Sequence, residues 1–246
     1  MNADHSAQMR LLDLQAADTA LAQLAHRRAT LPALAAIAER DERAQSLHDE
    51  LVDAETAIGD IAAEQRRLEN EVDAVRARAA RDEQRLQGGG LPAKELESLQ
   101  HELTTLARRQ GTLEDELLDV MERREDADAT LSLLTTQQEA LRSEQAAFVE
   151  TRDAAFLEID AATEQRRAER TMVATELPAD LLALYERARE HSGGVGAAIL
   201  RQRRCEGCHI ELSGSELASV RSAASDEVVR CDNCRRILVR TAESGL

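Results

Sequence analysis

The sequence predicts a mainly α chain, in which a long antiparallel coiled-coil hairpin is followed by a small carboxyl-terminal α+β module. Three observations predict this fold class. Of the 246 residues only Phe148, Phe156 and Tyr185 are aromatic, which is too few for an ordinary globular core. Ala, Leu, Glu and Arg dominate the composition, as they do in long helices and coiled coils. All four cysteines lie between positions 205 and 234, where the character of the sequence changes.

The hairpin is predicted by two series of apolar residues that recur at alternating spacings of three and four. The first series runs from Leu47 to Leu86 and the second from Leu96 to Ile159. This spacing is typical of the seam of a coiled coil. Between the two series, residues 87–92 contain three glycines and a proline, which remove helix propensity and allow a turn. The chain is therefore expected to reverse direction near 87–92.

The position of this turn predicts which residues face each other. If the chain turns at Gly89, facing residues have numbers that add up to about 178, as an antiparallel pair of equal rise requires. Under this rule Val72 faces Leu106, and no layer from Asp82–Leu96 to Leu47–Leu131 holds two polar residues. The match favours a hairpin within one chain over a parallel dimer. The chain is expected to be a monomer or a weak homodimer.

Proline and glycine positions divide the chain into three predicted parts. The hairpin is expected over 1–175, with a kink near 30–33 because Pro32 lacks a backbone donor. A linking helix is expected over 176–192, and the cysteine module over 193–246. We expect Tyr185 to be an apolar anchor at the junction between them.

The charge distribution argues against polyanionic partners for most of the surface. Forty-seven acids and 31 bases give a formal charge of −16, which opposes attraction to nucleic acid or anionic membranes. Residues 193–246 differ, since they hold eight arginines and seven acids. No signal peptide and no apolar stretch of membrane-spanning length is recognisable. A cytoplasmic protein that does not enter a membrane is therefore expected.

The four cysteines form two pairs with the spacing of a metal site. Cys205 and Cys208 are separated by two residues, as are Cys231 and Cys234, and 22 residues lie between the pairs. Two such pairs can complete the tetrahedron that zinc prefers. Four thiolates leave no position for water, so we predict one structural Zn²⁺ ion held by Cys205, Cys208, Cys231 and Cys234.

Other interpretations of the cysteines are less favoured. Cys205, Cys208 and His209 match the c-type haem attachment motif, but an export signal is missing and the second cysteine pair would have no role. Thioredoxin-type redox exchange needs a βαβ context that the sequence does not show. His209 could replace a cysteine as ligand, although four cysteines suffice.

Three segments resemble a known family. They are Leu91-Pro-Ala-Lys-Glu-Leu-Glu-Ser-Leu-Gln-His-Glu102, Leu181-Leu-Ala-Leu-Tyr-Glu-Arg187 and Cys231-Asp-Asn-Cys-Arg-Arg-Ile-Leu238. Together they resemble the bacterial C4-type zinc-ribbon family of coiled-coil hairpin proteins, and actinobacterial members most of all. The resemblance implies a helical hairpin joined to a zinc ribbon, zinc bound by the four cysteines, and no known catalytic activity. Family members are regarded as nucleic-acid-binding or partner-binding adaptors, and some are linked to flagellar regulation. Relatives usually have glycine where this chain has Arg235.

Two hypotheses for function follow. The first is a non-enzymatic zinc-binding adaptor or scaffold, in which the hairpin and the ribbon dock a protein partner. Gly89, Leu91 and Lys94 at the turn are candidate partner contacts. An enzyme is not expected, because the sequence lacks a phosphate-binding loop, a convergent Ser/His/Asp set and an open metal site.

The alternative is a regulatory protein that binds RNA or DNA through the ribbon. Arginines flank the two cysteine pairs and could contact phosphates. They are Arg201, Arg203, Arg204, Arg235, Arg236 and Arg240. Aromatic residues that would stack on single-stranded bases are missing from this module.

Overall fold

The computed structural model describes all residues, 1–246, as five helices and four strands. The helices are α1 (His5–Ala29), α2 (Pro32–Gln87), α3 (Ala93–Thr175), α4 (Ala179–His191) and α5 (Gly214–Ser222). The strands are β1 (Ala197–Arg201), β2 (Arg204–Cys205), β3 (Val229–Arg230) and β4 (Ile237–Val239). The predicted fold class, a helical hairpin with a small strand-containing module, is confirmed. No helix combines the length and hydropathy that a membrane span requires.

The chain divides into two compact units. Ala35–Phe148 form the first, which we call the hairpin unit. Met1–Leu34 and Val149–Leu246 form the second, which we call the ribbon unit.

In the hairpin unit, α2 and α3 pack through the apolar seam that the sequence predicts. Seven seam residues form one core cluster: Leu68, Val72, Leu113 and Val120 are buried, and Ile61, Val75 and Leu117 pack against them. Gly89 and Gly90 adopt φ angles of 66° and 82°, which residues with a Cβ rarely adopt. The glycines of the turn therefore have the conformational role that was expected.

The predicted register of the seam is wrong by about one heptad. Val72 shares its cluster with Leu113, and the expected Leu106 is not a member of that cluster. Arg123 contacts Glu64 at 2.6 Å, more than two helical turns from its expected position. A shift of one heptad returns every seam residue to the seam, so the apolar pattern alone cannot distinguish these registers.

In the ribbon unit the four strands form one sheet with the order β2-β1-β4-β3. The central strands β1 and β4 are parallel, with Ala198 opposite Leu238, while β2 and β3 pair antiparallel at the edges. Asn2 forms an antiparallel bridge with Glu227. The chain between the two cysteine pairs carries α5, which begins with a capping box formed by Ser213 and Glu216.

Tyr185 of α4 joins the helices of the ribbon unit to the sheet. Its ring is fully buried among residues of α1, α4, β1 and β4. Its hydroxyl donates to Asp18 Oδ2 at 2.7 Å, and Asp18 also accepts from Arg170 Nε at 2.6 Å. Burial raises the pKa of Tyr185, and the Asp18 carboxylate raises it further. A Cβ on Gly196 would lie 2.7 Å from the Tyr185 carbonyl oxygen, so only glycine fits there.

Candidate metal centre

The first cysteine pair lies in a tight turn that follows β2. Cys205 is fully buried at the end of β2, and its carbonyl accepts from the His209 backbone N–H at 2.7 Å. The Cys205 N–H donates to the Ile210 carbonyl at 3.1 Å. His209 adopts a φ of 59° and its side chain is exposed.

The second pair repeats this turn after β3. The carbonyl of Cys231 accepts from the Arg235 N–H at 2.8 Å, and the Cys231 N–H donates to the Arg236 carbonyl at 2.9 Å. Arg235 adopts a φ of 63°, as His209 does in the first turn. Glycine adopts this left-handed conformation without steric cost. The conformation therefore explains why glycine is usual at the position of Arg235 in the family that this sequence resembles.

The two turns bring the four sulfurs together. All four Sγ atoms lie within 4.8 Å of one another. Cys205 Sγ lies 3.8 Å from Cys234 Sγ, and Cys208 Sγ lies 3.9 Å from Cys231 Sγ. A tetrahedral zinc ion with Zn–S bonds of about 2.3 Å requires S–S separations of about 3.8 Å. The four cysteines are therefore positioned to bind one metal ion.

The surroundings of the thiols affect their pKa values unequally. Burial raises the pKa of Cys205 and also that of Cys231. Burial acts in the same direction on Cys234, but hydrogen bonds from the Arg236 backbone and the neighbouring thiols outweigh it and lower its pKa to about 7. Since zinc binds the thiolate form, metal binding releases the protons that Cys205 and Cys231 hold at neutral pH.

The Arg236 side chain stabilises the backbone around this centre. Its Nε donates to the Val195 carbonyl at 3.1 Å, and its Nη1 and Nη2 donate to the carbonyls of Gly207 and Ser192 at 2.7 and 2.6 Å. A Cβ on Gly207 would lie 2.6 Å from Arg236 Cδ. Arg236 thus links the first cysteine turn to the end of α4. The sequence contains no signal for this role, because Arg235 and Arg236 are the same residue type. Only the folded backbone decides which of the two guanidinium groups faces the protein interior.

Arg240 also has its partners inside the ribbon unit. Its guanidinium donates to five backbone carbonyls at and beyond the end of α5, including those of Ala223 at 2.9 Å and Glu227 at 2.8 Å. These bonds satisfy carbonyls that a helix end leaves without partners.

The other four predicted arginines have exposed side chains. Arg201 pairs with Glu243 at 2.7 Å, and Arg235 lies 4.0 Å from Asp232. Arg203 Nε donates to the Gly245 carbonyl at 3.3 Å, while Arg204 is exposed in β2. The structure therefore leaves Arg201, Arg203, Arg204 and Arg235 at the surface around the cysteine centre.

The predicted contacts at the turn belong to the hairpin unit. Gly89 and Lys94 are exposed, and Leu91 is half-buried. No fixed side-chain partner is apparent for Lys94.

Comparisons with known proteins agree with this architecture. The family model described as CT398-like coiled coil hairpin domain matches residues 14–193. The model described as C4-type zinc ribbon domain matches residues 204–238.

Relatives in mycobacteria match almost the whole chain. An uncharacterized protein of Mycobacterium tuberculosis is 41% identical over 240 residues, which cover 98% of each chain. An uncharacterized protein of Mycobacterium leprae is 33% identical over 213 residues, which cover 87% of this chain and 91% of that protein.

Solved structures share the fold. A structure from Mycobacterium smegmatis is 38% identical, with a TM-score of 0.89 over 98% of this chain and 100% of that one. CT398 from Chlamydia trachomatis is 20% identical, with a TM-score of 0.74 over 96% of this chain and 98% of its own. The chain therefore belongs to the CT398-like coiled coil hairpin family and carries a C4-type zinc ribbon domain.

Proposed function

We propose that the protein is a non-enzymatic adaptor, in which the hairpin and the ribbon dock a protein partner. Its one structural Zn²⁺ ion is held by Cys205, Cys208, Cys231 and Cys234. Four thiolates at tetrahedral separations fill the coordination sphere, so no position is open for a substrate or a catalytic water. The zinc ion supplies folding free energy to a small module, residues 193–246, that contains no aromatic residue.

The observation that favours protein docking over nucleic-acid binding is the position of Arg236 and Arg240. Their guanidinium groups donate to three and five backbone carbonyls, respectively. A phosphate could bind either side chain only if these bonds were broken. The basic surface around the cysteine centre is therefore smaller than the sequence suggests.

Site-specific photo-cross-linking tests this function. A photoreactive residue is placed singly at Lys94 in the hairpin turn, at Leu118 on the hairpin and at Arg204 on the ribbon, and the protein is irradiated in cells. The proposal expects adducts that nuclease leaves unchanged and that contain tryptic peptides of a second protein. Adducts that nuclease reduces to the mass of this chain alone would contradict it. The turn residues Gly89, Leu91 and Lys94 are candidate contacts of the partner, and a cytoplasmic location is part of the proposal.

Binding of RNA or DNA through the ribbon remains the second candidate, because Arg201, Arg203, Arg204 and Arg235 are exposed on one small unit. Fluorescence anisotropy with generic RNA and duplex DNA at two salt concentrations tests it. This function predicts an affinity that falls with salt and is lost when Arg203, Arg204 and Arg235 are changed to Ala. Those three substitutions leave Arg236 and Arg240 in place, so the ribbon stays folded. Equal weak binding by both proteins would exclude the second candidate.

A further inference from the structure

The two flanks of the hairpin seam carry different side chains. On one flank, ion pairs connect α2 to α3: Arg78 with Glu102, Glu71 with Arg109, and Glu64 with Arg123. The opposite flank is marked by the contact of Arg76 with Glu114 at 2.7 Å. We call this second side, between Gly111 and Gly59, the open flank. Its middle lacks the ladder of cross-helix ion pairs that covers the other flank.

Two large apolar side chains are exposed on the open flank. Met121 follows Glu114 by one heptad and Leu118 follows it by one helical turn, so both lie on the side marked by Glu114. The exposed fractions are 58% for Leu118 and 42% for Met121. These residues lie just outside the seam residues Leu117 and Val120. They contribute little to the hairpin core and form a small exposed apolar patch beside it.

Two glycines at the ends of the open flank are not required by packing within the chain. Gly59 and Gly111 are inside long helices, where glycine costs about 1 kcal/mol relative to alanine. A Cβ at either position would meet no atom within 4 Å. Gly111 precedes Leu118 by one heptad and therefore lies in the same row. A small residue at such a position allows the backbone of another helix to approach closely.

The length of the open flank fits one helix. Glu64 pairs with Arg123, so Gly59, five residues before Glu64, is level with about residue 128 of α3. From there to Gly111 the distance along the hairpin is about 25 Å, the length of a helix of about 17 residues. Glycines at both ends with Leu118 and Met121 between them are a suitable surface for a helix that packs beside the seam.

The charges around Leu118 and Met121 indicate the chemistry of the occupant. Asp115, Glu122 and Glu125 border the two side chains, and none of them has an ion-pair partner. On the facing stretch of α2, Arg66 and Glu69 have opposite charges and offset each other. A second copy of this chain would bring the same acids against them, and the chain has a formal charge of −16. A helix with basic residues beside an apolar face is the complementary partner.

We propose that the open flank binds a basic amphipathic helix of a partner protein. The inference deepens the adaptor function and rests on it. Leu118 and Met121 insert between the apolar side chains of the bound helix, and Gly59 and Gly111 allow its ends to approach. Asp115, Glu122 and Glu125 pair with its basic residues and guide its approach at low ionic strength.

The test uses a fluorescein-labelled 18-residue helical peptide with Leu and Ala on one face and Arg on the other. A second peptide carries Glu in place of every Arg. Zinc-loaded full-length protein is titrated against both by anisotropy, and circular dichroism checks the fold of each variant. The Arg peptide is expected to bind with an affinity that falls with salt, and the Glu peptide about tenfold more weakly or not at all.

Matched variants locate the binding surface. The double substitution Leu118→Ser with Met121→Ser is expected to lower the affinity for the Arg peptide about tenfold, because two apolar contacts are lost. Leu133→Ser is the control, since Leu133 is equally exposed at 59% but lies on the flank with the ion pairs. Its affinity is expected to stay within about twofold of the parent. Gly111→Ala is expected to raise Tm, because alanine has the higher helix propensity. It is also expected to lower the affinity for the Arg peptide, because the added methyl group hinders the approach of the bound helix to α3.

Three results would overturn the proposal. One is no saturable binding of the Arg peptide, and another is an equal loss of affinity in Leu133→Ser. The third is sedimentation that shows a dimer which Leu118→Ser with Met121→Ser dissociates, because the occupant would then be a second copy. If cross-links at Lys94 or Arg204 still capture a protein, the adaptor function stands and only the assignment to the open flank fails.

Discussion

Changing Arg236 to alanine removes the side chain that ties the cysteine turns to the rest of the ribbon unit. Three hydrogen bonds are lost, to the carbonyls of Val195, Gly207 and Ser192 at 3.1, 2.7 and 2.6 Å. A hydrogen bond from a charged donor contributes about 1.5–3 kcal/mol when buried. Arg236 is only half-buried, and water can enter the space and solvate the carbonyls. The loss of stability is therefore about 2–4 kcal/mol in total.

This loss should appear as weaker zinc binding. Folding of the ribbon and metal binding are coupled, so destabilising the folded module lowers the apparent zinc affinity by the same free energy. The expected change is about 10²-fold, since about 1.4 kcal/mol corresponds to a factor of ten. Competition for zinc with a chromophoric chelator measures it. Arg204→Ala is the control, because Arg204 is exposed and should leave zinc affinity within about twofold of the parent.

An unchanged zinc affinity in Arg236→Ala would show that the three hydrogen bonds do not stabilise the ribbon. An equal loss of affinity in Arg204→Ala would also exclude this role of Arg236, because a general effect of positive charge on the thiolate site would then explain both.

Four further outcomes are expected. Tyr185→Phe should destabilise the ribbon unit by about 1.5–3 kcal/mol, because the buried Asp18 loses a donor; urea unfolding followed by circular dichroism measures this, and no change would show that the bond is dispensable. Gly196→Ala should lower the stability of the same unit by at least about 2 kcal/mol, because its Cβ would overlap the Tyr185 backbone and ring; an unchanged Tm would contradict this close packing. Arg235→Gly should stabilise the ribbon by about 0.5–1 kcal/mol through relief of the left-handed φ, visible as slower loss of zinc to chelator; faster loss would argue against it. Removal of zinc should abolish the ordered amide signals of the strands in NMR spectra and leave helical circular dichroism almost unchanged, whereas persistent strand signals would show that the ribbon folds without metal.

The elements of the hairpin unit could be predicted from the sequence, but their register could not. Apolar spacing specifies which face of α2 and α3 is buried, and the glycines near Gly89 specify where the chain turns. Register depends instead on contacts between side chains, such as Glu64 with Arg123, that are far apart in sequence. Several registers one heptad apart bury the same residues, so the periodic pattern does not choose among them.

The metal centre was similarly predictable in part. The spacing of the cysteines defines a four-thiol site, because two short turns need only their own residues to form. The roles of Arg236 and Arg240 depend on where backbone carbonyls lie in three dimensions. The neighbouring Arg235 has the same side chain but is exposed at the surface. Tyr185 meets Asp18 across 167 positions of the chain, a contact that no local pattern signals.

X-ray absorption at the zinc edge of the purified protein shows directly whether the metal centre is closed. A closed four-thiolate centre has a structural role and leaves no position for chemistry. Such a centre gives four sulfur neighbours at about 2.3 Å and no nitrogen or oxygen neighbour. A spectrum that requires three sulfurs and one oxygen or nitrogen would contradict the structural role of the zinc ion, because the metal would then have an exchangeable position.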